Sequence, residues 1–103
     1  MSKPVYVLVI GEGWTEAWYQ LSKEEQDNLW SKVNEANERA GATLIAGCNA
    51  RWANESVSGF FILEYPNTDA YQKFKTDALE ELNWWRYSKA KTILGTRHPM
   101  WES

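Results

Sequence analysis

Val5-Tyr6-Val7-Leu8-Val9-Ile10, closed by Gly11, is the stretch on which the fold turns. Six consecutive apolar residues, rich in β-branched and aromatic side chains, read as a strand with both faces covered. Alternation divides the run into Val5, Val7 and Val9 on one face and Tyr6, Leu8 and Ile10 on the other. Neither set suits water. Whatever lies around this strand must therefore bury two sides of it.

Outward from that run, Ser22-Lys23-Glu24-Glu25 forms a capping box, in which the Ser22 hydroxyl accepts the Glu25 amide and the Glu25 carboxylate reaches back. Leu29, Val33, Ala36 and Ala40 follow at helical spacing, and Gly41 suits the stop. The stretch from Trp14 to the box reads as a loop or an extra helical turn. A second strand is predicted over residues 43–48 and a third over 59–65, joined through a polar loop at 54–58. Pro66-Asn67-Thr68-Asp69 ends the third strand and caps a second helix with Ala70, Phe74, Ala78 and Leu82 inward. Residues 92–96 read as a short fourth strand, and 97–103 as a tail.

The order is βαββαβ, two split βαβ units. Right-handed crossovers put the first and third strands in the centre and the second and fourth at the edges. The expected fold is α+β and ferredoxin-like: one domain over 1–103, with a four-stranded antiparallel sheet and two helices on one face. The other face stays apolar, and such faces mark interfaces. The expectation is a homodimer, sheet against sheet.

Composition narrows the partners. The chain has 103 residues, 44% hydrophobic and 24% charged, with a formal net charge of -3. These are ordinary globular proportions, and a core of this size buries roughly 60–70% of the unfolded surface. With no Lys/Arg block and an acidic balance, no nucleic-acid partner is expected. The longest apolar run is far too short to span a bilayer, so no membrane partner is expected either. No basic region followed by an apolar run and a cleavage site opens the chain, which makes the cytoplasm the expected compartment. Asn54-Glu55-Ser56 fits a glycosylation pattern and is read as chance. One cysteine, Cys48, excludes an intrachain disulfide or a cysteine cluster. One histidine, His98, excludes a multi-histidine metal site within the chain. No metal and no cofactor are expected. Gly11-Glu12-Gly13 lacks the third glycine of a dinucleotide fingerprint.

Seven tryptophans set this chain apart. The predicted topology gathers the ends of the first two strands, the start of the first helix and the end of the second at one edge. Glu12, Trp14 and Trp18, then Arg51 and Trp52, then Trp84, Trp85, Arg86 and Tyr87 map there. An aromatic-walled cleft with a few polar groups suits a small molecule. Glu12 is a candidate general base, Arg51 a stabiliser of a developing enolate or carboxylate, and Tyr87 a hydrogen-bond donor. Trp14, Trp18, Trp52, Trp84, Trp85 and Arg86 are candidate walls. The alternatives stay open. The rings serve equally as core packing, Glu12 and Arg51 as an ion pair, and Arg86 as a stacking partner. Cys48 reads as an inert thiol and His98 as a surface histidine.

Two stretches carry a resemblance to a known family. Ala17-Trp18-Tyr19-Gln20-Leu21-Ser22-Lys23-Glu24-Glu25 at the first helix and Trp84-Trp85-Arg86-Tyr87 after the second resemble the dimeric α+β barrel superfamily, its small uncharacterised bacterial members above all. The resemblance runs over nearly the whole chain. It implies the same fold and a homodimer. Its activities include cofactor-free monooxygenases, lactone isomerases, polyketide cyclases and haem-degrading enzymes. The haem branch supplies an iron-ligating histidine from the second helix, and this helix has none. The expected function is binding of a compact aromatic or polyketide-like molecule, with cofactor-free isomerase, cyclase or monooxygenase chemistry. The alternative is a non-catalytic ligand-binding or assembly protein.

Overall fold

The opening apolar run is a strand, and a longer one than its sequence suggests. In the computed structural model, which describes residues 3–53, 55–98 and 100, β1 spans Val5–Trp14. A single turn, α1 at Glu16–Tyr19, leads to the long helix α2 at Lys23–Arg39. Then come β2 at Thr43–Asn49, β3 at Gly59–Tyr65, α3 at Thr68–Phe74 and β4 at Ser88–Gly95. Past α3 the chain winds wider over Lys75–Glu80, where the Glu81 amide reaches five residues back to the Thr76 carbonyl. Asn83, at φ 52°, then turns it into a tight 3₁₀ turn, Trp84–Arg86.

The strands pair antiparallel in the order β2-β3-β1-β4. This is the α+β, ferredoxin-like arrangement expected, with β1 and β3 central. The caps form as the sequence predicts. Glu25 N–H donates to Ser22 Oγ at 3.1 Å, and Ser22 N–H donates to Glu25 Oε1 at 3.0 Å. The Ser22 backbone N–H, and after it the Ser22 hydroxyl, hold the Glu25 carboxyl below its ordinary pKa. Gly41, at φ 75°, ends α2: its amide and that of Ala42 return to the Glu38 and Asn37 carbonyls, the two bonds that finish a helix through a left-handed residue. Asn67 caps α3 by accepting the Ala70 amide at 2.8 Å.

Val33 and Ala36 of α2 with Ala40 at its C-cap, and Tyr71, Phe74, Ala78 and Leu79 after β3, bury against Val5, Val7 and Tyr65. The opposite face presents Tyr6, Leu8 and Ile10, paired across β1–β3 with Glu64, Ile62 and Phe60, all half-buried. At its edge, the Tyr6 hydroxyl donates to Glu64 at 2.7 Å. Arg97 Nε donates to Tyr6 Oη at 2.7 Å, with its guanidinium 4.9 Å from the ring centre.

Two strands differ from the sequence expectation. β4 begins at Ser88 because Ser88 and Ala90 pair with Trp14 and Gly11 of the extended β1. β1 passes Gly11 because it carries a bulge: Gly11 opposes Ala90 and Gly13 opposes Lys89, leaving Glu12 as the extra residue. Gly13 sits at φ 130°, a conformation that favours glycine. Before the bulge, odd-numbered residues of β1 face the helices. After it, Trp14 does. Among the described residues no helix is long and apolar enough to cross a membrane. Asn54 and residues 101–103, with the readings placed on them, lie outside the described residues.

Candidate functional site

Small residues meet where a core would normally be filled. Gly11 and Gly13 of β1, Gly59 of β3 and Ala90 of β4 all present little side chain toward the helix layer. The result is a cavity of about 540 Å³ between sheet and helices. Val7, Val9, Phe61 and Leu63 form its floor. Trp30, Val33, Asn34 and Asn37 of α2 form one wall, and Tyr71 and Phe74 of α3 another. Trp14, Trp84 and Trp85 close one end.

That aromatic end is a connected cluster. The Trp14 and Trp18 rings stack at 4.1 Å with planes 13° apart. Trp84 meets Trp14 edge-on at 5.7 Å and Trp18 at 5.9 Å. Trp30 lies 6.2 Å from Trp14 and 5.8 Å from Trp84. Tyr87 stands edge-on to Trp18 at 6.4 Å. Edge-to-face and offset pairs at these distances are the favourable arrangements of aromatic rings. Trp18 and Trp84 are buried, Trp14 is half-buried and Trp30 is exposed, and of these Trp14, Trp30 and Trp84 line the cavity.

The inner end is polar only at its tips. Tyr65 is fully buried, and its hydroxyl donates to Asn37 Oδ1 at 2.6 Å. Burial, and secondarily the neighbouring Tyr71, push the Tyr65 phenol well above its ordinary pKa. Burial raises Tyr71 as well. The Tyr65 and Tyr71 rings meet edge-on at 5.3 Å.

The structure therefore brings together Trp14, Trp18, Trp84 and Tyr87, with Trp85 on the cavity rim. Arg86 is exposed, its guanidinium 5.9 Å from the Tyr87 ring centre. Glu12 is exposed at the bulge. Arg51 and Trp52 reach the same edge of the sheet, where the Ser58 amide bonds to the Gly11 carbonyl at 2.8 Å. They do not line the cavity. The Arg51 amide bonds to Asn49 Oδ1 and the Trp52 indole N–H to the Asn49 carbonyl, which leaves Trp52 84% exposed. Topology brought these strand ends together, but a local turn sends the two side chains outward.

Trp30, Asn34, Asn37 and Tyr71 are cavity residues that the reading of the sequence passed over. Their signal was present: positions 30, 33, 34 and 37 form a helical ridge beside the one traced through Leu29, Val33, Ala36 and Ala40. Neither Cys48 nor His98 lines the cavity. α3 carries no histidine, so the residues present do not fit a haem iron held from that helix. Among the described residues no group of three or more His, Cys, Asp or Glu could hold a metal ion.

Comparison with solved structures identifies the fold. A chlorite dismutase from Candidatus Nitrospira defluvii superposes with a TM-score of 0.65 at 15% identity, over 92% of this chain and 41% of that one. The chain thus spans well under half of that enzyme. A protein of unknown function from Rhodopseudomonas palustris matches with a TM-score of 0.66 at 13% identity, over 95% of this chain and 85% of that one. A hydroxynitrile lyase from Passiflora edulis gives 0.58 at 12% identity, over 96% and 97%. The fold is that of the dimeric α+β barrel proteins, as the sequence resemblance implied. No protein-family model matches the sequence, and no curated protein sequence matches it.

Proposed function

We propose that this protein binds a compact, flat aromatic molecule in the cavity between sheet and helices. The observation that carries the reading is the cavity of about 540 Å³ itself, a size typical of small-molecule sites, walled by Trp14, Trp30 and Trp84. Large rings left facing a partly open cavity lack packing partners on that side, and a flat ligand would supply those dispersion contacts. Cofactor-free isomerisation, cyclisation or oxygenation is the chemistry this site would serve, since an apolar enclosure excludes water from a reactive ligand. That two of the similar folds are enzymes, a chlorite dismutase and a hydroxynitrile lyase by name, supports small-molecule handling as a class. The reading includes a homodimer closed over the face of Tyr6, Leu8, Ile10, Phe60 and Ile62.

The test is a titration of intrinsic tryptophan fluorescence with flat bicyclic aromatics, in the wild type and in Ala90→Phe, which places a ring in the cavity. Saturable quenching in the wild type that is lost in Ala90→Phe is expected. Quenching equal in both would place the ligand elsewhere. Arg51→Met should leave the wild-type titration unchanged, because Arg51 stands outside the cavity.

A further inference from the structure

The inner end of the cavity holds a hydroxyl with no protein partner. Tyr71 is only 8% exposed, and its ring lines the cavity. Among the described residues its hydroxyl makes no hydrogen bond. No buried side-chain oxygen or nitrogen among the described residues lacks a partner, so this hydroxyl keeps contact with open space and is free to meet a ligand. Its ring meets that of Tyr65, whose hydroxyl is spent on Asn37 Oδ1. That bond settles the Asn37 amide: with its oxygen engaged, the group Asn37 can offer is Nδ2–H₂. Asn37 lines the same cavity. Tyr65 thus touches both donor-bearing residues, Tyr71 through its ring and Asn37 through its hydroxyl, at the end away from the tryptophans.

The charges point the same way. Among the described residues no arginine or histidine lines the cavity; Glu38 and Lys89 do, and both are exposed. Nothing buried would compensate a ligand's anion, and burying an unpaired charge is far costlier than burying a hydrogen-bonded carbonyl. The scale is set by α2. Trp30 and Asn37 are seven residues apart, roughly 10 Å along the axis at about 1.5 Å per residue.

From this, and resting on the binding reading above, the geometry points to a neutral aromatic ketone of two or three fused rings as the ligand class, its carbonyl inward on Tyr71 and Asn37 and its rings against Trp14, Trp30 and Trp84. The selection is by charge and by acceptor. A carboxylate of the same shape is refused, and a hydrocarbon of the same shape gains nothing from the two donors.

Three near-isosteric probes separate these terms: methyl naphthyl ketone, naphthoate and ethylnaphthalene. Each is titrated calorimetrically into the wild type, Tyr71→Phe and Asn37→Asp. Tyr71→Phe removes only an oxygen that bonds to nothing in the protein. Asn37→Asp keeps an acceptor for Tyr65 and deletes the N–H donors. The ketone should bind the wild type most tightly. Its affinity should fall about five-fold in Tyr71→Phe, the range of one neutral hydrogen bond, and further in Asn37→Asp, where a negative charge faces the carbonyl. Ethylnaphthalene should bind the wild type and Tyr71→Phe alike. Ketone binding unchanged in both variants, or naphthoate binding as tightly as the ketone, overturns the donor pair while leaving the cavity reading standing. Binding of none of the three probes overturns both.

Discussion

Trp14 and Trp18 stack with planes 13° from parallel, although Trp14 belongs to a strand whose earlier even-numbered residues, Tyr6, Leu8 and Ile10, point to the opposite side of the sheet. The bulge at Glu12 reconciles the two. One extra residue reverses the phase of everything after it. The strand spends its first half on both faces of the sheet and its last residue on the aromatic end of the cavity.

Deleting Glu12 should therefore move Trp14 to the far face. The exciton coupling of the stacked indoles in circular dichroism should vanish, and ligand quenching with it. Retention of the coupling would show that the strand can recover its bulge from neighbouring residues. As a packing control, Trp84→Ala should cost about 3–5 kcal/mol in urea unfolding, as large buried rings do.

The α2 cap gives a pH signature. The Glu25 carboxyl titrates below its ordinary 4.5 because the charged form is the one that accepts the Ser22 bonds. A lowered folded pKa contributes stability above the unfolded value and loses it as pH falls through the folded one. Ser22→Ala should lower stability by about 1 kcal/mol near neutrality. The gap between Ser22→Ala and wild type should narrow once the pH drops below 4.5. A gap constant across that range would assign the effect to the hydroxyl alone.

Alkali should act through the buried phenols. Tyr65 and Tyr71 are raised above 10, chiefly by burial. Tyr6 is raised first by its hydrogen bond to Glu64. In each case the neutral form belongs to the folded state, so this stability is complete below pH 10 and is lost as pH rises through the folded values. Urea midpoints should fall from pH 10 upward, and Tyr65→Phe should flatten that fall. An identical alkaline slope in the variant would exonerate Tyr65.

The apolar open face should set the assembly state. Sedimentation equilibrium should give about twice the 12.0 kDa chain mass. Leu8→Lys, on the face away from the cavity, should halve it. A wild-type chain that sediments as a stable, non-aggregating monomer would leave Leu8 and Ile62 without a partner.

Much of this was legible in the sequence. The six-residue run, the Ser22–Glu25 box, Gly41 and the Pro66-Asn67 stop each act over a few residues, and each formed where it reads. The phase of Trp14 was not legible. It depends on whether Glu12 is paired or extruded, which β4 decides from seventy-odd residues away. β4 hid its own start because Ser88-Lys89-Ala90-Lys91 has no apolar alternation, its small side chains being what leaves the cavity open. Arg51 and Trp52 lie on the edge where topology puts them, but side-chain direction there belongs to the Asn49 turn. Trp30 was passed over because a single helix carries two adjoining ridges, one packed on the sheet and the other facing the cavity.

Compression offers a separate view of that unfilled layer. Pressure favours whichever state occupies less volume, and poorly filled apolar space is lost on unfolding. A chain that holds a partly open cavity of about 540 Å³ beneath its helices carries apolar space that its own atoms do not fill. Hydrostatic pressure should loosen the α2–sheet contact before the hydrogen-bonded strands yield. The occupant of the cavity would then act as a strut, and the pressure needed to unfold the protein would rise with ligand concentration.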